Sequence, residues 1–363
     1  MGTYGALSGN EGAKIFIGQQ QIGNVVMCYG SGNFVGRGID PHWVAATRNT
    51  GAGSGFMKAK NSSALTILFL VAFLWASSTL ASAHGKNING TMVWNGVTRY
   101  YHVYLPTGMP ANPPMLVMLH ATNLNPGNDP PTKANYGWQT LADTKKFIVV
   151  QPASTYNPQS GQWNWNAYYL DPAFPSPPPD DSGFLRQLIT NLMSQYNVDP
   201  KRVFVAGMSS GAMMAERVGV ELSDLVAAII PVSGQIAGQP TLPITLPSPP
   251  LAPVSVQEWH GTADRVLKPC NHGSTLYSGY KVLMATVDET FNYWVAQNVC
   301  TQLETPQPLC ENGKPNPGVP GNDATGCTNN VEVQFIWEPK LGHTWEPSNN
   351  AARWQFFASH PKP

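Results

Sequence analysis

An apolar strand, a Gly-x-Ser-x-Gly turn and a helix follow one another without a spacer near the middle of the chain. Residues 203–206 have the length and character of a short buried strand, and a helical pattern begins after Gly211. A serine in such a turn is strained, and the residues two before and two after it must be small so that strand and helix can pass closely. Gly207 and Gly211 occupy those positions. The stretch predicts a nucleophile elbow at Ser209, although the motif alone also suits an ordinary Gly/Ser turn.

Apolar strand patterns alternate with helical patterns over the chain after residue 84, and two short strands come first, as an edge hairpin. This alternation predicts an α/β fold with a mostly parallel central sheet and helices on both faces. Ligands bind such sheets beyond the carboxyl ends of the strands. Strands are expected at residues 91–94, 98–105, 115–119, 147–150, 203–206, 226–232, 254–259 and 331–337, and helices at 138–145, from the cap at 180–183 to about 196, after 211, at 287–298 and at 351–359.

The first 83 residues differ from the rest. Residues 1–56 are rich in Gly and Asn, without sustained periodicity, and Met57 then opens a short basic segment, an apolar run and the small-residue sequence Ala81-Ser82-Ala83. This order is typical of a secretory signal peptide, and the apolar run is shorter than the about 20 residues of a membrane span. We expect a disordered, non-native upstream extension at 1–56, a signal peptide at 57–83 and a catalytic domain at 84–363. The processed chain should be secreted (extracellular or periplasmic), without stable membrane association.

Charge and cysteine content restrict the partners. The chain has 21 basic and 21 acidic residues, which argues against a nucleic-acid partner because such proteins need a basic surface. The expected mature part has four cysteines, an even number that suggests two disulfides with three possible pairings. Their spacing contains no C-x-x-C unit, so no metal site is expected. The four are Cys270, Cys300, Cys310 and Cys327.

A serine nucleophile needs a base, and the base needs an orienting carboxylate. Asp264 and His343 each follow a predicted strand, and the chain order Ser209, Asp264, His343 fits a serine hydrolase of the α/β type. We therefore predict these three residues as a catalytic triad. The alternatives are the acids Asp180, Asp181 and Asp288 and the bases His260, His272 and His360.

An oxyanion needs two N–H donors aimed at the developing charge. The backbone of Ser210 supplies one, at the start of a helix whose N-terminal dipole favours negative charge. The second is expected from the loop after the strand that ends at Leu119, where we assign Thr122, with Ala121 as the alternative.

Several motifs resemble the secreted esterase family that groups polyhydroxybutyrate depolymerases with feruloyl esterases. The resemblance implies an α/β-hydrolase fold and ester hydrolysis through an acyl-enzyme without a cofactor. The chain departs from the family at Ala121, where glycine is usual, and at Glu346-Pro347, where Pro-Gly is usual. The similar segments are 117–120, 180–185, 198–203, 207–215, 227–234, 260–264 and 342–345.

These observations favour a secreted feruloyl-type carboxylesterase acting on plant cell-wall esters. The alternatives are an extracellular polyester depolymerase and, in another class, a catalytically inactive binding protein of the same fold. Aromatic residues in the loop before the 180–183 cap are candidates for a substrate wall, although packing of the loop onto the body explains them equally well. The substrate-binding candidates are Trp163, Trp165, Tyr168, Tyr169, Trp345 and His260.

Overall fold

The computed structural model describes residues 5–7, 15–22, 25–31, 85–122, 136–158, 161–167, 178–237, 249–275 and 281–363. The chain divides into two compact units, Met1–Leu80 and Ala81–Pro363. The signal peptide predicted at 57–83 and the candidates Tyr168 and Tyr169 lie outside the described residues.

The described residues of the first unit form three strands: β1 (Gly5–Leu7), β2 (Ile15–Ile22) and β3 (Val25–Ser31). They pair antiparallel in the order β1-β2-β3. Three segments of residues 1–56 are thus strands, where the sequence led us to expect disorder. That residues 1–56 are a non-native extension stays a prediction.

The second unit is built on one large sheet, accompanied by small two-stranded hairpins. Its strands are β4 (Lys86–Trp94), β5 (Val97–Leu105), β6 (Met115–Leu119), β7 (Ile148–Pro152), β8 (Thr155–Asn157), β9 (Gln162–Asn164), β10 (Val203–Met208), β11 (Ala228–Val232), β12 (Ser255–Gly261), β13 (Gly273–Thr275), β14 (Lys281–Leu283), β15 (Gln302–Leu303), β16 (Cys310–Glu311), β17 (Lys314–Pro315), β18 (Gly321–Thr325) and β19 (Val333–Glu338). Over the described residues, the large sheet has ten strands in the order β15-β18-β19-β12-β11-β10-β6-β7-β5-β4.

The centre of the sheet is parallel, as predicted. Neighbouring strands run parallel from β7 through β6, β10, β11 and β12 to β19. Antiparallel strands flank this centre, with β5 and β4 on one side and β18 and β15 on the other. The carboxyl ends of the central strands therefore meet at one edge, where the predicted site residues lie.

Helices cover both faces of the sheet, which confirms the predicted α/β architecture. Val205 of β10 joins the buried cluster that includes side chains of the helices at residues 181–196, 210–221 and 287–297, whereas Phe204 joins the cluster that includes the helices at 138–145 and 350–359. Successive strand residues point to opposite faces, so one strand supplies both cores. No helix in the described ranges has the length and apolar character needed to cross a membrane. Within the described residues the α-helices are α1 (Trp138–Lys145), α2 (Asp181–Tyr196), α3 (Ser210–Glu221), α4 (Val287–Gln297) and α5 (Asn350–Ser359).

The four cysteines form two disulfides, and the structure selects one of the three possible pairings: Cys270–Cys310 and Cys300–Cys327. Both lie in the part of the chain between β12 and β19. Cys270 follows the turn that carries Asp264, so its bridge ties that turn to the small β16–β17 hairpin. The two disulfides predicted from the even cysteine count are confirmed.

Candidate active site

Ser209 occupies the turn between β10 and α3 with a backbone conformation that non-glycine residues rarely adopt, at φ 56° and ψ −119°. Two glycines make the turn possible. A Cβ on Gly207 would collide with the carbonyl of Gly211, and a Cβ on Gly211 would collide with the carbonyl of Leu119 at the end of β6. Strand, turn and helix therefore pass as closely as the nucleophile-elbow prediction requires.

Backbone hydrogen bonds hold this turn in place. The N–H of Ser209 donates to the carbonyl of Val232 at 3.0 Å, and its carbonyl accepts from the N–H groups of Ala212 at 2.9 Å and Met213 at 3.0 Å. Gly234 packs behind it, since a Cβ there would lie 2.6 Å from the Ser209 carbonyl oxygen. The backbone of the serine is thus fixed by β11 and by its own helix, and these bonds do not use the side-chain hydroxyl.

Asp264 and His343 lie on the loops that follow β12 and β19, two neighbouring parallel strands. The Nδ1 of His343 and the Oδ2 of Asp264 are 2.8 Å apart. The loops are joined by their backbones as well, because the N–H of Ala263 donates to the carbonyl of Leu341 at 2.8 Å. The structure therefore brings together an acid and an imidazole that are 79 residues apart in the chain.

The Asp264 carboxylate is ionised and well bonded. Its Oδ1 accepts from the N–H groups of Val266 at 2.8 Å and Leu267 at 3.0 Å. Burial raises the pKa of this carboxyl, but hydrogen bonds from His260 and His343 outweigh burial and hold the pKa well below its usual range. A buried anion of this kind favours the Nδ1–H form of the neighbouring imidazole and orients the ring.

The rival acids and bases have other partners. Asp180 caps α2 by accepting from the N–H of Gly183 at 2.9 Å. His272 bonds Glu289 at 2.7 Å, and His360 bonds Glu332 at 2.9 Å, both away from Asp264. Asp181 is buried against Arg99, and Asp288 accepts from the N–H groups of Leu309 and Cys310. These contacts leave Asp264 and His343 as the pair that fits the serine turn.

Among the described residues, no hydrogen bond joins the Ser209 hydroxyl to His343. Catalytic hydrogen bonds are often long in ligand-free enzymes and tighten only when substrate is bound. The complete Ser209–His343–Asp264 triad stays a prediction, of which the acid–imidazole half is present as a hydrogen bond.

The loop after β6, residues 120–122, is called the oxyanion loop here because it carries Ala121 and Thr122, the two residues predicted as alternatives for the second oxyanion donor. The N–H of Ala121 donates to the Tyr136 hydroxyl at 3.0 Å, so this amide already has a partner. The Thr122 hydroxyl donates to Oδ1 of Asn164 at 3.1 Å, and the Thr122 N–H has no hydrogen-bond partner within the described ranges. The Ser210 N–H lies at the first position of α3. Thr122 and Ser210 therefore fit the donor role better than Ala121.

His120 supports this loop, a role that the sequence did not reveal. Its Nδ1 lies 2.6 Å from the Ala121 carbonyl oxygen and must donate, while its Nε2 accepts from the N–H of Ser154 at 3.0 Å. Burial lowers the pKa of His120 to about 4, which keeps the ring neutral. Two sequence signals could have pointed to it: its position directly before the predicted oxyanion residues, and its place at the end of the family-like segment 117–120.

Three of the predicted substrate contacts are instead enclosed by protein. Trp165 is fully buried and donates from Nε1 to the His120 carbonyl at 2.9 Å. Trp345 donates to the carbonyl of Tyr136 at 3.0 Å. His260 is 2% exposed and lies 3.2 Å from Asp264. We therefore assign these three residues to the support of the site rather than to substrate contact, because they are buried polar groups with satisfied partners.

Trp163 differs from these three. Its side chain is buried between Tyr100 and Tyr156, yet its Nε1 has no hydrogen-bond partner within the described part of the chain. The neighbouring residue, Asn164, contacts the oxyanion loop. Trp163 thus stays a candidate for contact with substrate. No group of three or more His, Cys, Asp or Glu side chains within the described ranges could hold a metal ion.

Residues 99–245 match the family model described as esterase PHB depolymerase. A bifunctional acetylxylan esterase/xylanase of Neocallimastix patriciarum is 30% identical over 50% of this chain and 24% of its own length. Poly(3-hydroxyalkanoate) depolymerase C of Paucimonas lemoignei is 27% identical over 51% of this chain and 49% of its own length. Feruloyl esterase B of Piromyces equi is 26% identical over 57% of this chain and 36% of its own length. The chain therefore spans about a quarter to half of the length of these relatives.

Solved structures agree on the fold. A substituted form of pOPH in complex with pNPB has a TM-score of 0.50, with 17% identity, over 76% of this chain and 88% of its own. The family match includes Ser209 and the oxyanion loop and ends before Asp264 and His343. The resemblance that the motifs indicated is confirmed. Residues 99–245 are therefore similar to the esterase family described as PHB depolymerase, and the fold of the chain is of the α/β-hydrolase type.

Proposed function

We propose that the chain is a carboxylic ester hydrolase in which Ser209 is the nucleophile, His343 the general base and Asp264 the group that orients His343. The observation that carries this proposal is the 2.8 Å hydrogen bond between His343 and Asp264, at the same edge of the sheet as the strained Ser209 turn. Relatives that are named esterases and depolymerases support the reaction class.

The proposed reaction has two halves. His343 takes the Ser209 proton as the hydroxyl oxygen attacks the ester carbonyl, and the N–H groups of Ser210 and Thr122 donate to the oxyanion. The tetrahedral intermediate then collapses, the alcohol leaves with the proton from His343, and an acyl-enzyme remains. Water, activated by the same imidazole, attacks the acyl-enzyme and releases the carboxylic acid. This sequence uses no cofactor.

We favour feruloyl-type esters of plant cell walls as substrates of a secreted enzyme. The relatives named feruloyl esterase B and bifunctional acetylxylan esterase/xylanase support a plant-wall ester. The Nε1 of Trp163 has no hydrogen-bond partner among the described residues, and the next residue, Asn164, contacts the oxyanion loop; both observations support a contact with an aromatic or sugar group of the substrate. The two disulfides support an oxidising, extracytoplasmic compartment.

A polyester depolymerase is the second candidate. The description of the matched family and the Paucimonas lemoignei relative favour it. An inactive binding protein of the same fold is the candidate from another class, and it predicts a serine that does not react.

The test is an ester panel with the protein started at Met57 and its Ser209→Ala variant. Methyl ferulate, acetylated xylan and dispersed polyhydroxybutyrate separate the substrate classes, and a fluorophosphonate probe reports whether the serine is reactive. We expect hydrolysis of methyl ferulate and labelling by the probe, both lost in Ser209→Ala. Unchanged activity in Ser209→Ala would refute the proposed nucleophile, and absence of both activity and labelling in the parent protein would favour the binding protein.

A further inference from the structure

His260 lies near the end of β12, four residues before Asp264, with only 2% of its surface exposed. Its Nε2 lies 2.9 Å from the carbonyl oxygen of Leu267 and 3.2 Å from Oδ2 of Asp264. A carbonyl oxygen can only accept, so the hydrogen must be on Nε2. The ring is therefore a donor that points into the Asp264 turn and bonds two oxygens there.

With this contact, the Asp264 carboxylate accepts from four N–H groups. Its Oδ1 bonds the backbone of Val266 and Leu267, and its Oδ2 bonds His260 and His343. A carboxylate has about four acceptor positions, so the group has no free direction in which to turn. His260 also holds the Leu267 carbonyl, which closes the turn from Asp264 to Leu267.

His260 cannot be the base itself. The nitrogen that faces the site already donates to Asp264 and Leu267, and the ring is enclosed, with Trp337 packed edge-on at 6.5 Å. Because only 2% of its surface is exposed, His260 also cannot contact a substrate directly. Any effect on the reaction must therefore pass through Asp264.

We propose that His260 is a positioning residue for ester hydrolysis, which fixes the Asp264 carboxylate so that its Oδ2 meets Nδ1 of His343. This inference rests on the proposed function of the Ser209, His343 and Asp264 set. Small displacements of such a group cost catalysis heavily, because a misplacement of about 1 Å can lower a rate about 10²-fold. Substrate binding does not involve His260, so kcat should fall while KM stays the same.

The test compares three substitutions by steady-state kinetics. His260→Met removes the donor and keeps an apolar side chain of similar length, and we expect kcat to fall about 10–100-fold with KM unchanged. His260→Gln places an amide nitrogen near the position of Nε2 and should restore most of kcat. His260→Asn is also an amide but is too short to reach Asp264, and it should resemble His260→Met.

Each result decides the proposal. If His260→Met fails to fold, His260→Gln is compared with His260→Asn. Equal kcat values in these two variants, whether high or low, would overturn the positioning role. An unchanged kcat in a folded His260→Met would also overturn it. Asp264→Asn is measured in parallel. Full activity in Asp264→Asn would show that the proposed triad is wrong. An inactive Asp264→Asn together with fully active His260 variants would overturn only the positioning role of His260.

Discussion

Arg99 of β5 and Asp181 at the start of α2 form a buried ion pair, with Nη2 and Oδ1 2.7 Å apart. Arg99 also donates to the Ala153 carbonyl at 3.2 Å, and the second Asp181 oxygen accepts from the N–H of Asn166 at 2.8 Å. The pair thus fixes both ends of the loop that carries Trp165, the residue that packs against His120. The ion pair therefore links β5 to the start of α2, and it holds the loop whose Trp165 supports the oxyanion loop.

Breaking this pair from one side should destabilise the protein strongly. Arg99→Met leaves the Asp181 charge buried without its partner, a situation that typically costs about 3–5 kcal/mol of the free energy of unfolding. Urea denaturation measures the loss. The double variant Arg99→Met/Asp181→Leu removes both charges and should recover part of it, and a single variant as stable as the parent protein would contradict the role assigned to the pair.

Asp264→Asn should lower kcat by about 10⁴-fold without unfolding the protein, because an amide cannot stabilise the imidazolium that forms on His343. Ester hydrolysis and near-ultraviolet circular dichroism measure the two properties. Asp180→Asn is the matched control, since asparagine caps a helix as well as aspartate does and Asp180 lies outside the proposed site. A large loss in the control, or a small one in Asp264→Asn, would point to a different acid.

The two disulfides should affect activity differently. Removing either pair by serine substitution should cost about 2–5 kcal/mol of stability. The Cys270–Cys310 bridge anchors the chain just after the Asp264 turn, and the N–H of Cys310 is held by Asp288 at 2.9 Å. Its loss should therefore also lower kcat, measured at a temperature where both variants are folded. Equal kcat values in the two double-serine variants would show that the bridge does not support the acid turn.

The stability of the protein should depend on the protonation of Glu216. This side chain of α3 is buried, its Oε2 accepts from Trp294 at 2.6 Å, and burial raises its pKa to about 8. The folded protein then holds a proton that the unfolded chain releases above about pH 4.3, so stability falls as pH rises from about 4.5 to 8. Glu216→Gln removes the contribution of Glu216 to this dependence and keeps the acceptor, whereas the contribution of Glu258, a second buried carboxyl whose pKa burial raises, stays.

Glu216→Gln should consequently raise the melting temperature, by more at pH 8 than at pH 5. Differential scanning calorimetry at the two pH values measures the gain. Glu311→Gln, at an exposed position in the same unit, is the control and should not show a gain that grows with pH. A gain of equal size at both pH values would mean that Glu216 is ionised in the folded protein.

The sequence predicted those parts of the structure that carry a local signal or that follow from the order of strands in a parallel sheet. The elbow at Ser209 is such a case, because a strand, two glycines and a helix start lie within a few residues of one another. The parallel sheet follows from the alternation of strand and helix patterns. The Asp264–His343 contact was predictable because carboxyl ends of neighbouring parallel strands share one edge.

The parts that sequence reasoning missed depend on contacts between distant segments. For Trp165 the sequence left substrate contact and packing of the loop equally open, and the structure shows its Nε1 donating to a carbonyl 45 residues away. No sequence pattern pointed to Tyr136, whose hydroxyl accepts the hydrogen bond from the Ala121 amide. The disulfide pairing was open for the same reason, since spacing alone does not show which sulfur atoms meet.

The backbone conformation of Ser209 has a consequence for engineering. A positive φ of 56° costs free energy for any residue with a side chain, and glycine relieves it. Ser209→Gly should therefore melt at a higher temperature than Ser209→Ala while lacking the hydroxyl. A screen for thermal stability alone would therefore favour glycine at position 209, so a useful screen must measure ester hydrolysis as well as resistance to heat.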